Sequence, residues 1–281
     1  MSDPGMLADR GRPAVRVERR YDHPIDRVWR AVTEPAQLAQ WFPFGAELEL
    51  RAGGRADFGE GGEGEVLAAD PPRRLAFTWG GDRLEFALAE EDGGTRFTLL
   101  HGFDDRGGAA SFATGWEQCM AGLDEVLADR TPGDPGRGEA RHEELAARFG
   151  LDRPQVDQSP DGWTARFERQ LVCPAQAAWD LFFGGKRAPG VGAEFRAPQV
   201  PHVLLGTVTE CERPESFAFV VAHGEPGGEV RMRLGEGTGH GARLFLEVRG
   251  TDPAELDAAV EQWGAGAVEH VAAEAARLAA A

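Results

Sequence analysis

Polar and apolar positions change rhythm along the chain, and each change marks an element. Val15 and Val17 alternate with Arg16 and Glu18, the two-residue period of a strand. Ile25, Val28, Trp29 and Val32 then recur at helical spacing behind Pro24, which suits a first helical turn. Pro35 opens a second short helix that ends near Leu38, just before Trp41 and Phe42. From residue 46 to 103 the period returns to two. Leu48/Leu50, Leu75/Phe77/Trp79, Leu84/Phe86/Leu88 and Phe97/Leu99/His101/Phe103 each fall on one strand face. Pro71-Pro72, Gly80-Gly81-Asp82 and Asp92-Gly93-Gly94 separate them as turns, which predicts an antiparallel meander. A closing helix follows, with Trp116, Cys119/Met120, Leu123 and Val126/Leu127 on one stripe.

The same order then returns. Glu18, Arg19, Pro24 and Trp29 match Glu168, Arg169, Pro174 and Trp179 at an offset of 150. Val66, Pro72, Ala76 and Phe77 match Val208, Pro214, Ala218 and Phe219 at an offset of 142. Gly94, Arg96 and Trp116 match Gly241, Arg243 and Trp263 at an offset of 147. Three blocks in one order predict two copies of one domain. The expected division is an N-terminal tail (1–13), a first domain (14–130), a linker with a short helix (131–160) and a second, degenerate domain (161–281). A sheet with one apolar face needs a cover, and the long amphipathic helix is the natural one. The class is therefore α+β, twice.

Composition narrows the partners. Forty-seven acidic side chains against thirty basic ones leave a formal charge of −17. Such a field disfavours nucleic acid and anionic membrane surfaces as partners. Cys119, Cys173 and Cys211 lie far apart and form no CxxC pair. The start of the chain has no signal-like apolar core, and no stretch has the length of a membrane helix, so the expected location is the cytoplasm. The seven histidines show no metal-ligand spacing, so no metal is expected. Gly59-Glu60-Gly61-Gly62-Glu63-Gly64 matches a dinucleotide fingerprint in letters only, since a strand rather than a helix should follow. No cofactor is expected.

The stretch from Pro24 through Val28-Trp29, Ala31-Val32-Thr33 and Pro35 to Leu38 and Trp41-Phe42 resembles the family named after the activator of heat-shock-protein ATPase. Gly53-Gly54-Arg55, Glu65-Val66, Pro71–Leu75, Thr98–His101 and Gly115-Trp116 continue the resemblance. This family is part of the START/Bet v 1-like (SRPBCC) superfamily. The resemblance implies two tandem helix-grip domains, each a curved antiparallel sheet wrapped around a long C-terminal helix, with an apolar cavity between. The second copy lacks a Leu-x-x-Trp-Phe counterpart, and residues 183–202 are instead rich in Gly and Pro.

On this reading the inner face of the first domain carries the candidate ligand contacts: Trp41, Phe42, Phe58, Trp79, Phe86, His101, Phe103, Trp116 and Met120. Mostly apolar walls with few placed polar groups suit a small hydrophobic ligand. His101 is the one candidate for acid–base chemistry, with Arg55, Asp57 and Thr98 as potential polar neighbours. Trp29 and Trp179 are assigned to the core. The favoured function is non-enzymatic binding, as carrier or sensor, of a small hydrophobic molecule in the first domain. A cyclase- or aromatase-like enzyme using His101, and a chaperone-accessory or other protein-interaction module with a protein partner, are the alternatives.

Overall fold

The computed structural model describes residues 2–136, 138–239 and 241–279. The chain divides into two units, Met1–Gly138 and Glu139–Ala281, each with its own antiparallel sheet.

The first unit contains eight strands: β1 (Ser2–Asp9), β2 (Arg12–Tyr21), β3 (Glu47–Leu48), β4 (Gly54–Asp57), β5 (Glu63–Asp70), β6 (Arg74–Trp79), β7 (Asp82–Glu91) and β8 (Gly94–Gly102). Their spatial order is β1-β2-β8-β7-β6-β5-β4-β3. Two helices, α1 (Ile25–Ala31) and α2 (Pro35–Leu38), lie between β2 and β3, and α3 (Ala109–Leu127) closes the unit. Inward parity follows the sequence pattern. Phe97, Leu99, His101 and Phe103 are buried, while Arg96 is exposed and Thr98 half-buried. Helix α3 packs on β2 and α1, and lays Trp116, Met120 and Leu123 on the core.

The second unit opens with α4 (Glu139–Arg148), followed by β9 (Gln155–Ser159) and β10 (Gly162–Gln170). Helix α5 (Ala175–Phe182) precedes β11 (Glu194–Arg196), β12 (Leu204–Glu212), β13 (Ser216–Val221), β14 (Glu229–Glu236) and β15 (Ala242–Gly250). The order is β11-β12-β13-β14-β15-β10-β9. The closing helix has three consecutive parts: α6 (Leu256–Val260), a π-helical stretch (Glu261–Glu269) and α7 (His270–Ala279).

Register confirms the repeat residue by residue. Val15–His101–Leu84 form one row across β2, β8 and β7. Ala165–Val248–Val230 form the equivalent row across β10, β15 and β14. The matched prolines Pro72 and Pro214 both follow a cis peptide bond.

Two boundaries differ from the sequence expectation. Residues 2–9 are not a tail but an edge strand, joined to β2 by a two-residue turn. Arg10 and Gly11 both take positive φ (51° and 83°), the conformation that matches hairpin twist. The segment 131–160 is not simply a linker. Its helix α4 packs against α7, and its β9 pairs with β10. Each copy thus begins one hairpin earlier than its apolar pattern indicates. β9 is exposed along its length, so it carries no alternation to read.

An arginine pins each opening strand to its closing helix. Arg19 on β2 bonds Asp124 of α3. Its counterpart Arg169 on β10 is 3% exposed and donates to Glu269 at 3.0 Å, to the Gln170 carbonyl at 3.1 Å, and to Glu143 of α4. Burial pushes the Glu143 carboxyl upward, but His142 and Arg169 outweigh it and hold Glu143 below the usual range. Burial raises Glu269, and Arg169 only partly offsets this.

The two carboxyls therefore pull stability in opposite directions with pH. Glu143, depressed, adds stability that is lost as the pH falls through its folded value. Glu269, raised, adds stability that is lost as the pH rises. Arg169→Met removes the cation both depend on and leaves two half-buried carboxylates facing each other. It should cost about 3–5 kcal/mol near neutral pH. The loss should shrink in mildly acid solution, where the orphaned carboxyls can take up protons. Denaturant titrations at several pH values measure this; a loss that stays constant with pH contradicts it.

Candidate functional site

His101 lies near the end of β8, where strand parity turns it inward. Its ring is 2% exposed and packs against Phe103, Phe112 and Trp116, with centroids 5.2, 4.7 and 5.8 Å away. The Trp116 indole N–H donates to Nδ1 at 3.0 Å, and Nε2 lies 3.0 Å from Asp82 Oδ2. A tryptophan can only donate. Nδ1 is therefore the acceptor, and Nε2 carries the hydrogen that it gives to Asp82. Both ring nitrogens are occupied within the fold. The expected polar neighbours are engaged elsewhere. Arg55 pairs with Asp57 and Glu63, and Thr98 donates to Glu18 at 2.9 Å. They do not converge on the imidazole.

The other candidates in the first domain pack ring against ring. Phe42 lies 5.5–6.4 Å from Phe58, Phe77, Trp79, Phe86 and Trp116. Trp41 touches Phe86 and Phe97 and donates its N–H to the Ala31 carbonyl at 2.9 Å. Trp79 is half-buried and donates to the Gly61 carbonyl at 2.8 Å. Met120 from α3 is fully buried. Trp29 and Trp179 are both buried core residues.

A cavity of about 750 Å³ lies in the second domain, between the closing helix and the β11–β12 side of the sheet. None of the nine candidates lines it. Its floor is formed by Phe182, Phe195, Leu205, Trp263 and Val271, all buried, and its rim by Gln199, Val200, Glu261, Ala265 and Gly266, all exposed. Two local sequences account for the space. Where the first copy has Glu117-Gln118-Cys119-Met120 after Trp116, the second has Gly264-Ala265-Gly266-Ala267 after Trp263. On the inner side of the helix a long side chain becomes a small one: Ala267 lines the cavity where Met120 fills the first core. Gly264 has its own reason: a Cβ there would meet the Phe167 ring at 2.7 Å. The segment in place of Leu-x-x-Trp-Phe sends Phe183 and Phe195 inward, but Val191 is 68% exposed, and Ala197–Val200 only border the cavity.

The small residues coincide with the π-helical stretch. Such wide turns recur at functional sites. The wall's polar groups are few. Gln262 donates to Glu225 at 3.0 Å, and Glu261 and His270 complete the ionisable set. Among the described lining residues there is no Cys, Ser or Thr. Burial pushes the Cys173 thiol up to about 11 and, in the first domain, Cys119 up to about 12, away from the reactive thiolate. Among the described residues no three His, Cys, Asp or Glu side chains come together to hold a metal. Among them, too, no helix is long and apolar enough to cross a membrane. Gly59–Gly61 form a short turn that leads into β5, so no helix N-terminus stands behind the glycine-rich letters.

Sequence reasoning read the second copy as degenerate and did not single out Phe182, Phe195, Trp263 or Ala267 as a site. The signal was present in the small-residue run after Trp263, which lies on the stripe that should face the sheet.

Comparison with known proteins places the first domain. Residues 22–128 match the family model described as Activator of Hsp90 ATPase homolog 1-like protein. No curated protein matches the chain significantly. Among solved structures it is similar to CalU16 from Micromonospora echinospora, with 27% identity, 52% of this chain and 96% of that one covered, and a TM-score of 0.44. It is also similar to MLL2253 from Mesorhizobium loti, with 28% identity, 43% and 99% covered, and a TM-score of 0.38. DynU16, described as a putative protein in the dynemicin biosynthetic locus, aligns over 95% of this chain and 99% of its own at 19% identity and a TM-score of 0.40.

The Trp116–His101 bond has a direct signature. Imidazole ¹⁵N shifts should show His101 as the tautomer with the hydrogen on Nε2. A double-mutant cycle of Trp116→Phe and His101→Leu should show a coupling of about 0.5–3 kcal/mol, because each change orphans the other's buried group. A bare Nε2, or strictly additive losses, would contradict the assignment.

Proposed function

We propose, from the match of residues 22–128 to the Activator of Hsp90 ATPase homolog 1-like family model, that the protein binds a small, mostly apolar molecule, held in the cavity of the second domain. Domains of this superfamily generally bind small hydrophobic ligands. One observation carries the placement. On the inner face of the first domain the rings pack against one another, whereas in the second the closing helix and the sheet border an open cavity of about 750 Å³. That volume falls in the range of small-molecule pockets, and its aromatic floor with few polar groups fits their chemistry.

The sequence alone pointed to the first domain, because that is where the aromatic residues are dense. Dense packing is the argument against it as a site. A catalytic role for His101 is likewise the weaker reading. A general base needs a free lone pair facing the reacting atom, and here Trp116 holds one nitrogen while Asp82 holds the other.

Full-length protein should enhance the fluorescence of the neutral apolar probe N-phenyl-1-naphthylamine with one-to-one stoichiometry. Ala267→Trp fills the cavity and should abolish the enhancement while the protein stays folded. Trp79→Leu, in the first domain, should leave it intact. The reverse pattern, with Trp79→Leu destroying binding and Ala267→Trp preserving it, would return the site to the first domain.

A further inference from the structure

We infer that the ligand of this cavity carries a cationic nitrogen at one end of an apolar body, and that Glu225 and Glu261 receive it. The inference rests on the cavity reading above and adds the ligand's charge class.

The walls are asymmetric in what they offer. Glu225 and Glu261 are among the lining residues, and the Gln262 amide donates a hydrogen to Glu225 Oε2 at 3.0 Å. This contact fixes the carboxylate's orientation and leaves its second oxygen, together with the Gln262 carbonyl, as acceptors. His270 is the remaining ionisable group on the wall. Among the described lining residues there is no Arg or Lys. Lys186 bonds the carbonyl of Pro198 at 2.9 Å, and its side chain is not part of the lining. The Trp263 N–H is directed to the Pro226 carbonyl at 3.3 Å and is not free for a ligand.

Two carboxylates thus stand among the described lining residues with no guanidinium or ammonium beside them, while the Gln199 and Gln262 amides and the His270 ring can each donate as well as accept. An ammonium group supplies up to three donors and the opposite charge. A carboxylate or phosphate would meet two like charges with no Arg or Lys among the described lining residues to offset them, so fatty acids and phosphorylated ligands are disfavoured. The aromatic floor works in the same direction, since an aromatic face attracts a cation held over it. The net charge of −17 adds a field of the same sign.

Three probes of one shape separate charge from apolar burial: 4-phenylbutylamine, 4-phenylbutanol and 4-phenylbutyrate, titrated calorimetrically into the full chain. The amine should bind about tenfold or more tightly than the alcohol, the scale of one charge-assisted hydrogen bond. The butyrate should bind most weakly. Added salt should erode the amine's advantage. Glu225→Gln and Glu261→Gln together should bring the amine down to the level of the alcohol without weakening the alcohol.

If the alcohol binds and Ala267→Trp blocks it, but the amine gains nothing over it, the cavity stands and the charge assignment falls. Tighter binding of the butyrate overturns the assignment as well. If none of the three binds, the cavity reading itself fails and the inference fails with it.

Discussion

A single antiparallel sheet with one apolar face must be covered, and in each half of this chain one long helix is the principal cover. The space between them has to be filled by side chains or left for something else. That constraint governs the rest of the structure. In the first copy the helix contributes Trp116 and Met120, and the loop after α2 contributes Trp41 and Phe42. Together their rings pack against one another there. In the second copy the helix contributes Trp263 followed by four small residues, and the space stays open. The sheets are built alike; the difference lies in the volume of a few residues laid over them.

Leaving such a space open requires the helix to be held by other means. Burying a large apolar side chain is worth roughly 1.5–3 kcal/mol, so a thinned core weakens the grip on the cover. The buried arginine pin holds the closing helix at Glu269. Arg19 has an acidic residue of its closing helix as partner, whereas Arg169 holds Glu269 and also Glu143 on α4. Helix α4 in turn packs on α7. The copy with the cavity thus carries a helix, α4, that is tied through Arg169 to the C-terminal part of its cover. A buried network is weak evidence of net stability, but it is a strong constraint on position.

Much of the architecture was legible because period and parity are local properties. Alternation placed β6, β7 and β8, and the run Phe97/Leu99/His101/Phe103 identified the inward face correctly. The repeat could be read from Glu-Arg, Pro and Trp because these residues do positional work: the arginine pin, the helix start and the anchor of the first helix. β1 and β9 were not legible. They are edge strands, set by a turn and by backbone pairing with a neighbour, and β9 has no buried side chain to mark it. The cavity was legible only in the negative. Aromatic density at inward positions signals a candidate pocket and a filled core equally well, and nothing local separates the two. What separates them is whether facing residues meet. In the first domain Phe42 and Trp116 do, with ring centroids 5.6 Å apart. In the second, Trp263 reaches Phe219 at 5.5 Å, while the helix one turn further on offers only Ala267.

Net charge takes on a sharper meaning in this light. Spread over an exterior, seventeen excess negative charges repel anions in general and select no ligand. Two of the carboxylates, however, stand at a concave apolar surface with poorly polarisable walls. A cleft of this kind focuses field lines, so the same charges act more strongly on a ligand inside it than on one passing over an open surface. The focusing depends on geometry as much as on sign. Had Met120's equivalent been retained at position 267, Glu225 and Glu261 would be two more surface acids. The small residues of the closing helix thus do two things at once. They open the volume that an apolar body can occupy, and they place that volume within reach of carboxylates that would otherwise face only water.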